Sequence, residues 1–445
     1  MADPIGRQLI TRRELLARGA LLGGGALIGG PLLAACGTSA SGSKDSLEVG
    51  VLYQAGSPYY QAYQRVGNEV LNANKGTTIK YTFANTAARP KLELRWKHGD
   101  PPNLDYVFNS ADRTSLHYVT GGDLLDISSQ MAGTQWGGGT TWADAILPAY
   151  RHFAQYQGKY YMAPDEAVVL GLFYNGKLFD QWGLTPPTSW DDLMHVVQVI
   201  RGKRISPIAV TGTFQPYMGM WWDHLLLREI GAPAVMDIAW AGKKLADQPG
   251  ALTAAGKLAA LAKAGAFLDG FSGIDFTAAQ AAFFQGKAAM ILMGSWLQGE
   301  MKASIPAGFD LRVTPFPAVP GGQGDDQGVF GTLLGQSVWS KTKNPSLAVD
   351  FLKFSDAQGE QTRRVHDLGI VSPYTGIATP PGVTGMDTLL QRASTGTVTY
   401  YYYGIAQDTK RNTAWYDPVA KLFLGKITPP QLVSEIDSNL ASING

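Results

Sequence analysis

The sequence predicts an α/β protein made of two domains. About 400 residues follow the N-terminal leader, which is more than one hydrophobic core usually holds, so two domains are expected. From residue 47 onward, short apolar segments alternate with amphipathic segments of helical length. Strands that alternate with helices at this spacing are typical of parallel βαβ units.

The first 35 residues have the features of a signal peptide. Residues 11–16 read TRRELL, a close match to the twin-arginine export pattern, and residues 19–33 are apolar and rich in glycine. A charged start followed by a short apolar stretch is typical of a targeting segment rather than of a membrane span. Residues 33–36 read LAAC, which matches a lipobox and predicts cleavage before Cys36. The alternative is an ordinary signal peptide with an incidental cysteine.

Cys36 is the only cysteine of the chain, so it has no disulfide partner, and lipidation is the simplest role for it. Residues 37–44 read GTSASGSK, the composition of a flexible linker. We therefore predict a signal peptide over 1–35 and a lipidated cysteine with its tether over 36–44. The mature protein is expected to be extracytoplasmic and anchored to the cell membrane through Cys36.

Charge and composition restrict the partners of the folded part. Without residues 1–35, the chain keeps 33 basic and 34 acidic side chains, a formal charge of −1. A near-neutral chain without a basic run argues against nucleic acid as a partner. The eleven tryptophans and nineteen tyrosines favour carbohydrate recognition, because a pyranose presents an apolar C–H face to an aromatic ring. Packing in the core and between the lobes explains most of these rings equally well.

The first lobe is predicted to begin with three strands and two helices. The segments alternate as strand, helix, strand, helix and strand, with predicted bounds 47–53, 58–74, 78–83, 89–98 and 104–108. In parallel sheets, ligands bind beyond the carboxyl ends of the strands. Tyr53, Gln54, Asn109 and Ser110 fall at such ends, so we predict that they contact the ligand.

A second strand end is predicted around residue 294. A helix over 278–284 is followed by a buried strand over 288–293, and Gly294-Ser295 then turns the chain so that Trp296 begins the next helix. This order places an indole, backbone N–H groups and a hydroxyl at the carboxyl end of a strand, where a sugar can stack and form hydrogen bonds. We predict that Gly294, Ser295 and Trp296 bind the ligand. The alternative for Trp296 is packing within its own lobe.

Other candidate contacts carry aromatic or charged groups. Glu166 can accept hydrogen bonds from sugar hydroxyls, although an exposed loop carboxylate fits the sequence equally well. One or two of the aromatic side chains at the start of a predicted helix are expected to face the ligand, with Tyr217 and Trp221 as the candidates. Arg411 and Trp415 are four residues apart and would share a helix face. Tyrosines 400–403 would point to alternate sides if they formed a strand.

Catalytic and metal-binding patterns are missing from the sequence. The six histidines form no His-Glu-x-x-His motif, and no phosphate loop or nucleophile elbow follows the leader. Adjacent acids occur at 165–166, 191–192 and 325–326, but glycoside cleavage needs two opposed carboxylates. The sequence therefore predicts a binding protein without cofactor or metal, rather than an enzyme.

Several motifs occur in the order found in one family. They read YQGKYYMAP, GLFYNGKLF, GLTPPTSWDDL, FFQGKAAM, MGSW, TPFP and GKITP, and they begin at residues 156, 171, 183, 283, 293, 314 and 425. Together they resemble the extracellular sugar-binding proteins of ABC importers, over essentially the whole mature chain. Within that family the chain is similar to binders of N-acetylglucosamine and chitobiose, on Asn109-Ser110, Tyr217, Gly294-Ser295-Trp296 and Trp415-Tyr416.

The resemblance implies a periplasmic-binding-protein fold, in which each lobe is a sheet flanked by helices. Lobe 1 would comprise 45–163 and 318–368, and lobe 2 would comprise 164–317 and 369–445. The chain would cross between the lobes three times, near 162–167, 314–318 and 369–373.

The resemblance also implies a function and a mode of action. A mono- or oligosaccharide, such as an amino sugar or a disaccharide, would bind between the lobes, which close by a hinge. Gly335, which belongs to a matching motif, becomes another candidate contact. The protein would be a monomer that delivers its ligand to the membrane subunits of an ABC importer. The alternatives are a binder of a non-sugar solute and a secreted carbohydrate-active enzyme.

Overall fold

The computed structural model describes residues 46–85 and 87–444 of the chain. The predicted signal peptide, Cys36 and the tether lie outside these residues, so export and lipidation stay predictions. Among the helices of the described ranges, none has both the length and the apolarity needed to span a bilayer.

Strands in the described part of the chain belong to two sheets. Ten of them form a continuous, curled sheet with the order β11-β9-β6-β10-β3-β1-β2 and with β8, β7 and β12 attached at its sides, while β4 and β5 form a separate hairpin. The strands are β1 (Ser46–Val51), β2 (Thr78–Phe83), β3 (Leu104–Asp105), β4 (Gln155–Tyr156), β5 (Lys159–Tyr160), β6 (Ala163–Asn175), β7 (Ser206–Ala209), β8 (Ala288–Gly294), β9 (Leu311–Thr314), β10 (Val329–Val338), β11 (Val383–Thr384) and β12 (Val398–Tyr400).

Helices pack on the faces of the large sheet. They are α1 (Pro58–Ala73), α2 (Arg89–Lys97), α3 (Leu116–Thr120), α4 (Ser128–Met131), α5 (Trp142–Ala145), α6 (Gly176–Trp182), α7 (Trp190–Gly202), α8 (Gln215–Glu229), α9 (Gly231–Ala241), α10 (Pro249–Lys263), α11 (Phe276–Phe284), α12 (Leu297–Met301), α13 (Pro345–Ser355), α14 (Gln358–Leu368), α15 (Met386–Thr395), α16 (Thr409–Phe423) and α17 (Pro429–Asn444). Short 3₁₀ helices cover Arg151–Ala154, Leu245–Asp247, Phe271–Gly273 and Tyr401–Gln407. This arrangement confirms the predicted α/β class.

The first β-α-β unit shows why the local sequence folds as predicted. The Ser57 hydroxyl caps α1 by accepting a hydrogen bond from the Tyr60 N–H, and Pro58 occupies the first helical turn, where it has no N–H to leave unpaired. Apolar residues at helical spacing bury one face of α1. The helix returns the chain so that β2 pairs in parallel with β1, with Ser46 opposite Thr78.

The long strand β6 runs through the middle of the sheet. Its residues 163–169 pair with β10, and its residues 170–175 pair with β8 and β9. All thirteen residues are buried. One strand therefore takes part in the sheets of both predicted lobes.

The third predicted strand is shorter than expected. The pattern predicts a strand over 104–108, but β3 ends at Asp105. The Asp105 carboxylate accepts a hydrogen bond from the Tyr106 N–H and is paired with the Arg89 guanidinium at 2.9 Å. The side chain thus takes the N–H that would continue the ladder.

Only the first of tyrosines 400–403 lies in a strand, so the alternation that a strand would impose does not apply to the other three. Strand β12 ends at Tyr400, and Tyr402 and Tyr403 have φ angles of 56° and 51°. A non-glycine residue pays a steric cost for this left-handed conformation. Buried contacts offset it, since the Tyr403 hydroxyl donates to the Asp223 carbonyl and the Tyr403 carbonyl accepts from the Trp240 indole.

Residues 318–328 form hydrogen bonds with residues of predicted lobe 2. The Ala318 N–H donates to the Thr188 carbonyl, and the Asp325 N–H donates to the Leu227 carbonyl. The buried Arg228 guanidinium donates to the carbonyls of Asp325 and Gly328. On these contacts we propose that the second crossing between lobes occurs at β10, later in the chain than 314–318.

Candidate functional site

The turn after β8 is attached directly to the central strand. The Ser295 N–H donates to the Val169 carbonyl at 2.9 Å, and the Ser295 hydroxyl oxygen accepts from the Val169 N–H at 3.3 Å. These bonds extend the pairing of Gly294 with Leu170 by one residue beyond β8. Ser295 is buried, so its main effect is to fix the backbone from which Trp296 projects.

The indole of Trp296 lies directly over Gly294. A Cβ added at Gly294 would be 2.0 Å from an indole carbon, so only glycine leaves room for the ring. The indole stacks with the Tyr217 ring at a centroid distance of 6.0 Å and an interplanar angle of 27°. Trp296 is the N-cap residue of α12 and is partly exposed. The structure therefore places Gly294 and Tyr217 in contact with the predicted sugar-stacking residue.

Two tyrosines that follow β1, in predicted lobe 1, lie near the helix that follows this turn. Tyr53 stacks on Tyr59 with ring centroids 3.8 Å apart. A Cβ added at Gly299 of α12 would lie 2.5 Å from the Tyr59 hydroxyl oxygen, so Tyr59 reaches the backbone of the helix that follows Trp296. Burial, and next the charge of the Glu166 carboxylate, raise the pKa of both tyrosines well above the ordinary value.

Glu166 is buried on β6 beside these tyrosines. It lines a cavity of about 10 Å³ together with Tyr59, Tyr63, Asp165 and Arg364, which is room for about one water molecule. Burial raises the pKa of Glu166 to about 8, and the nearby charges of Asp165 and Glu300 add to this effect. Within residues 46–85 and 87–444, the Glu166 carboxyl forms neither an ion pair nor a hydrogen bond to another side chain.

The only positive charge lining that cavity is already shared. The Arg364 guanidinium lies 3.5 Å from the Asp165 carboxylate and 3.4 Å from the Glu360 carboxylate. Asp165 also accepts hydrogen bonds from the Tyr63 and Tyr106 hydroxyls. Asp165 is therefore satisfied within the protein, whereas its neighbour Glu166 remains able to accept hydrogen bonds from a bound molecule.

Three buried polar atoms near Trp296, Tyr217 and Glu166 lack a hydrogen-bond partner of good geometry in the part of the chain that the structure describes. They are the hydroxyl oxygens of Tyr59 and Tyr402 and the indole nitrogen of Trp296. A buried donor without a partner costs about 1–3 kcal/mol, so each such atom needs an explanation, and a bound molecule that supplies the partner is one explanation. Tyr402 belongs to the 3₁₀ helix after β12, and the charge of Tyr217 and of Glu300 contributes, after burial, to its raised pKa.

Other predicted contacts have partners inside the protein. Trp221 is buried against Phe267 and Phe316. The buried Trp415 indole donates to the Asp223 carboxylate at 3.1 Å. The helical placement of Arg411 and Trp415 is confirmed by α16, but the Arg411 guanidinium donates to Asp408, to the Ala239 carbonyl and to Asn444.

The remaining predicted contacts, at other strand ends, have partners within the protein or are exposed. The Asn109 amide donates to the Thr332 hydroxyl and the Leu333 carbonyl, and the Ser110 hydroxyl donates to the His152 carbonyl. Gln54 is exposed. Gly335 lies at an irregularity in the pairing of β10 with β6, where an added Cβ would be 2.3 Å from the Ala163 carbonyl oxygen. These contacts give Asn109 and Gly335 structural roles.

Sequence reasoning missed Tyr59 and Glu300, and it named Tyr402 only as one of four consecutive tyrosines. Glu300 is four residues after Trp296, and that spacing places both on one face of a helix. The Gln280 amide donates to the Glu300 carboxylate at 3.1 Å and holds it in position. Tyr59 follows Pro58 in the loop-to-helix junction after β1, a position where polar contacts to ligands are common in α/β sheets.

Metal binding has no visible basis in the described residues. Nowhere in these ranges do three or more histidine, cysteine, aspartate or glutamate side chains converge in a way that could hold an ion. The side chains around Trp296 and Glu166 can instead contact a ligand through flat aromatic rings, N–H and O–H groups without good hydrogen bonds, and a carboxyl that accepts hydrogen bonds.

Two buried acids predict how stability depends on pH. Burial raises the pKa of Glu166 from 4.5 to about 8 and the pKa of Asp223 from 3.8 to about 7. The folded protein therefore holds protons that the unfolded chain releases, and the free energy of unfolding should fall as pH rises from about 4 to about 8. Denaturant titrations of the ligand-free protein at several pH values measure this slope. Glu166→Gln and Asp223→Asn should each flatten it, and an unchanged slope in both variants would contradict the assignment.

Comparisons with known proteins identify the family of the chain. A family model described as bacterial extracellular solute-binding protein matches residues 55–361. A multiple sugar-binding protein of Streptococcus mutans is 27% identical over 73% of this chain and 74% of its own length. A diacetylchitobiose-binding protein of Streptomyces coelicolor is 23% identical over 59% of this chain and 57% of its own length.

Solved structures of sugar-binding proteins share the fold. The solved structure of a chitin oligosaccharide binding protein superposes with a TM-score of 0.73 and 22% identity, over 89% of this chain and 98% of that one. This likeness confirms the predicted two-lobe fold. On the extent of the family match, the chain belongs to the bacterial extracellular solute-binding proteins, the family that its sequence motifs indicated.

Proposed function

We propose that this protein binds a saccharide between its lobes and delivers it to an ABC importer. The observation that carries the proposal is the group of unpartnered polar atoms at Tyr59, Tyr402 and Trp296, which lies among stacked aromatic rings. A sugar ring has apolar C–H faces and a rim of hydroxyls. It therefore needs both flat rings and hydrogen-bonding groups at the same place.

The carboxyl of Glu166 suits this role. A carboxyl group accepts hydrogen bonds from sugar hydroxyls, and Glu166 is held next to Tyr53 and Tyr59 without a side-chain hydrogen bond among the described residues. The proposed site therefore comprises Trp296, Tyr217, Glu166, Tyr53 and Tyr59, together with Tyr402 and Glu300. The names of the relatives, which include binders of sugars and of diacetylchitobiose, support a carbohydrate ligand for this chain.

A thermal-shift screen tests the proposal. The panel contains chito-, xylo- and malto-oligosaccharides with their monosaccharides, raffinose and stachyose, and a matched set of amino acids and peptides. A ligand at a hundred times its Kd stabilises the native state by about 2.7 kcal/mol, so a saccharide that binds raises the melting temperature. Stabilisation by peptides alone would favour a non-sugar solute and overturn the proposal.

The saccharide is proposed to be bound without cleavage. Solute-binding proteins of the family bind rather than transform their ligands, and the adjacent acids Asp165 and Glu166 are not the opposed pair that hydrolysis requires. Incubation of the purified protein with chito-oligosaccharides, followed by chromatography, should return the oligosaccharides at their original length. Shorter products would favour the alternative of a carbohydrate-active enzyme.

A lipid anchor and twin-arginine export are proposed from the N-terminal sequence. Cys36→Ala should move the protein from the membrane fraction to the soluble extracytoplasmic fraction, because the acyl chain would be lost. Fractionation with immunodetection measures the change, with Ser39→Ala in the tether as the matched control. Replacing Arg12 and Arg13 by lysine should instead retain the precursor in the cytoplasm. Unchanged membrane partitioning of the Cys36 variant would contradict the anchor.

A further inference from the structure

Two exposed phenylalanines extend the aromatic group beyond Tyr217. The Phe214 ring lies 4.8 Å from the Tyr217 ring, and the Phe276 ring lies 5.7 Å from it. The two phenylalanine rings are 6.1 Å apart. Since Tyr217 stacks on Trp296, ring contacts run without a break from the proposed sugar site to these two side chains.

Both phenylalanines are more exposed than large apolar side chains usually are. The exposed fraction is 41% for Phe214 and 37% for Phe276. Phe214 is the residue before α8, and Phe276 is the first residue of α11. Single exposed apolar residues need no explanation, but a contiguous pair beside a binding site is typical of a ligand contact.

The loops that carry the two rings are bonded to each other. The hydroxyls of Thr211 and Thr213 both donate to the Ile274 carbonyl, at 2.9 Å and 3.3 Å. A Cβ added at Gly212 would lie 2.4 Å from the Ser272 Cα, so the loops approach as closely as glycine permits. Rings on such fixed loops lose little conformational entropy when a ligand binds.

We propose that Phe214 and Phe276 form an outer subsite, which rests on the proposed function of the Trp296 site. A first pyranose ring binds beside Trp296, and the next ring of the same molecule packs its C–H face on the two phenylalanines. The ligand is therefore an oligosaccharide of at least two units. Glu300 follows Trp296 by about one helical turn and accepts a hydrogen bond from Gln280 of α11, the helix that begins at Phe276, so its carboxyl supplies a hydrogen-bond acceptor between the elements that carry the two subsites.

Calorimetric titration tests the outer subsite with N-acetylglucosamine and its dimer and trimer, and in parallel with xylose, xylobiose and xylotriose. The wild-type protein should bind the disaccharide of the series that it recognises about tenfold or more tightly than the monosaccharide. The double variant Phe214→Ala/Phe276→Ala should lose this gain and keep its affinity for the monosaccharide within about twofold. Phe214→Tyr should keep the gain, because a flat ring remains.

The control variant is Trp136→Ala. Trp136 is 51% exposed, and its ring contacts Phe354 of α13 rather than the proposed site, so all affinities should stay unchanged. If the wild-type protein and the double variant have the same ratio of disaccharide to monosaccharide affinity, the outer subsite is overturned while saccharide binding stands. If the ratio is the same but the double variant loses transport in cells, Phe214 and Phe276 contact the importer instead. Failure of the wild-type protein to bind any saccharide of the thermal-shift panel would overturn both proposals.

Discussion

Trp296→Ala is expected to lower saccharide affinity about thirtyfold or more. The indole is held over Gly294, stacks on Tyr217 and has an N–H without a hydrogen bond of good geometry, so its removal deletes an apolar contact and a hydrogen-bond donor at once. Truncation of a central aromatic anchor often costs about 2 kcal/mol or more, and about 1.4 kcal/mol corresponds to a factor of ten in Kd. Calorimetric titration with the saccharide identified by the screen measures the change.

Companion variants separate binding from packing. Trp296→Phe should restore part of the affinity, because a flat ring remains, whereas Trp296→Leu should not. Gly294→Ala should also weaken binding, since the new Cβ would displace the indole. Gly256→Ala is the matched control, because no atom lies within 4 Å of its added Cβ. Near-normal affinity in a Trp296→Ala protein with a lowered melting temperature would assign the indole to packing alone.

Arg228→Met is expected to lower the free energy of unfolding by about 3–5 kcal/mol. The buried guanidinium donates to four backbone carbonyls, and burial lowers its pKa to about 10. The acceptors are the carbonyls of Phe316, Pro317, Asp325 and Gly328. Methionine fills a similar volume but donates no hydrogen bond, so the carbonyls lose their partners. Denaturant titration measures the loss.

Arg363→Met is the matched control for this prediction. The Arg363 side chain is 55% exposed and pairs with Glu360, and exposed ion pairs contribute about 1 kcal/mol or less. Arg228→Lys should have an intermediate effect, because an ammonium group cannot reproduce the planar fork of donors. A loss below about 1 kcal/mol for Arg228→Met would show that the carbonyls find other partners.

Elements with local signals were predicted from the sequence. Ser57 and Pro58 mark the start of α1, and the Gly294-Ser295 turn marks the end of β8, because caps and turns depend on a few neighbouring residues. The conformation of tyrosines 400–403 could not be predicted, because the left-handed backbone at Tyr403 depends on contacts with Asp223 and Trp240, far away in the sequence.

The site was predictable to a smaller degree. Trp296 could be placed because its turn is local. Trp221 and Trp415 could not be distinguished from ligand contacts, because a core tryptophan and a cleft tryptophan look alike in a sequence. The surroundings of Glu166 depend on Glu300 and Arg364, which come close to it only in the folded chain. Tyr59 was missed because nothing near it in the sequence shows that it reaches α12.

The continuity of β6 determines where the lobes can rotate. The last residue of β6 paired with β10 is Val169, and the next residue, Leu170, is already paired with β8. No unpaired residue separates the two ladders, so we expect rotation to occur as a twist of the strand at this point. Atoms move in proportion to their distance from a rotation axis. Ser295 is bonded to Val169 itself, and Trp296 is the next residue.

Trp296 should therefore keep its position relative to β6 while the tyrosines of lobe 1 move toward or away from it. A sugar would be captured by the indole in the open protein and retained by Tyr53 and Tyr59 only after closure. Capture and retention would then depend on different residues, so substitutions at Trp296 should slow association, whereas substitutions at Tyr59 should mainly accelerate dissociation.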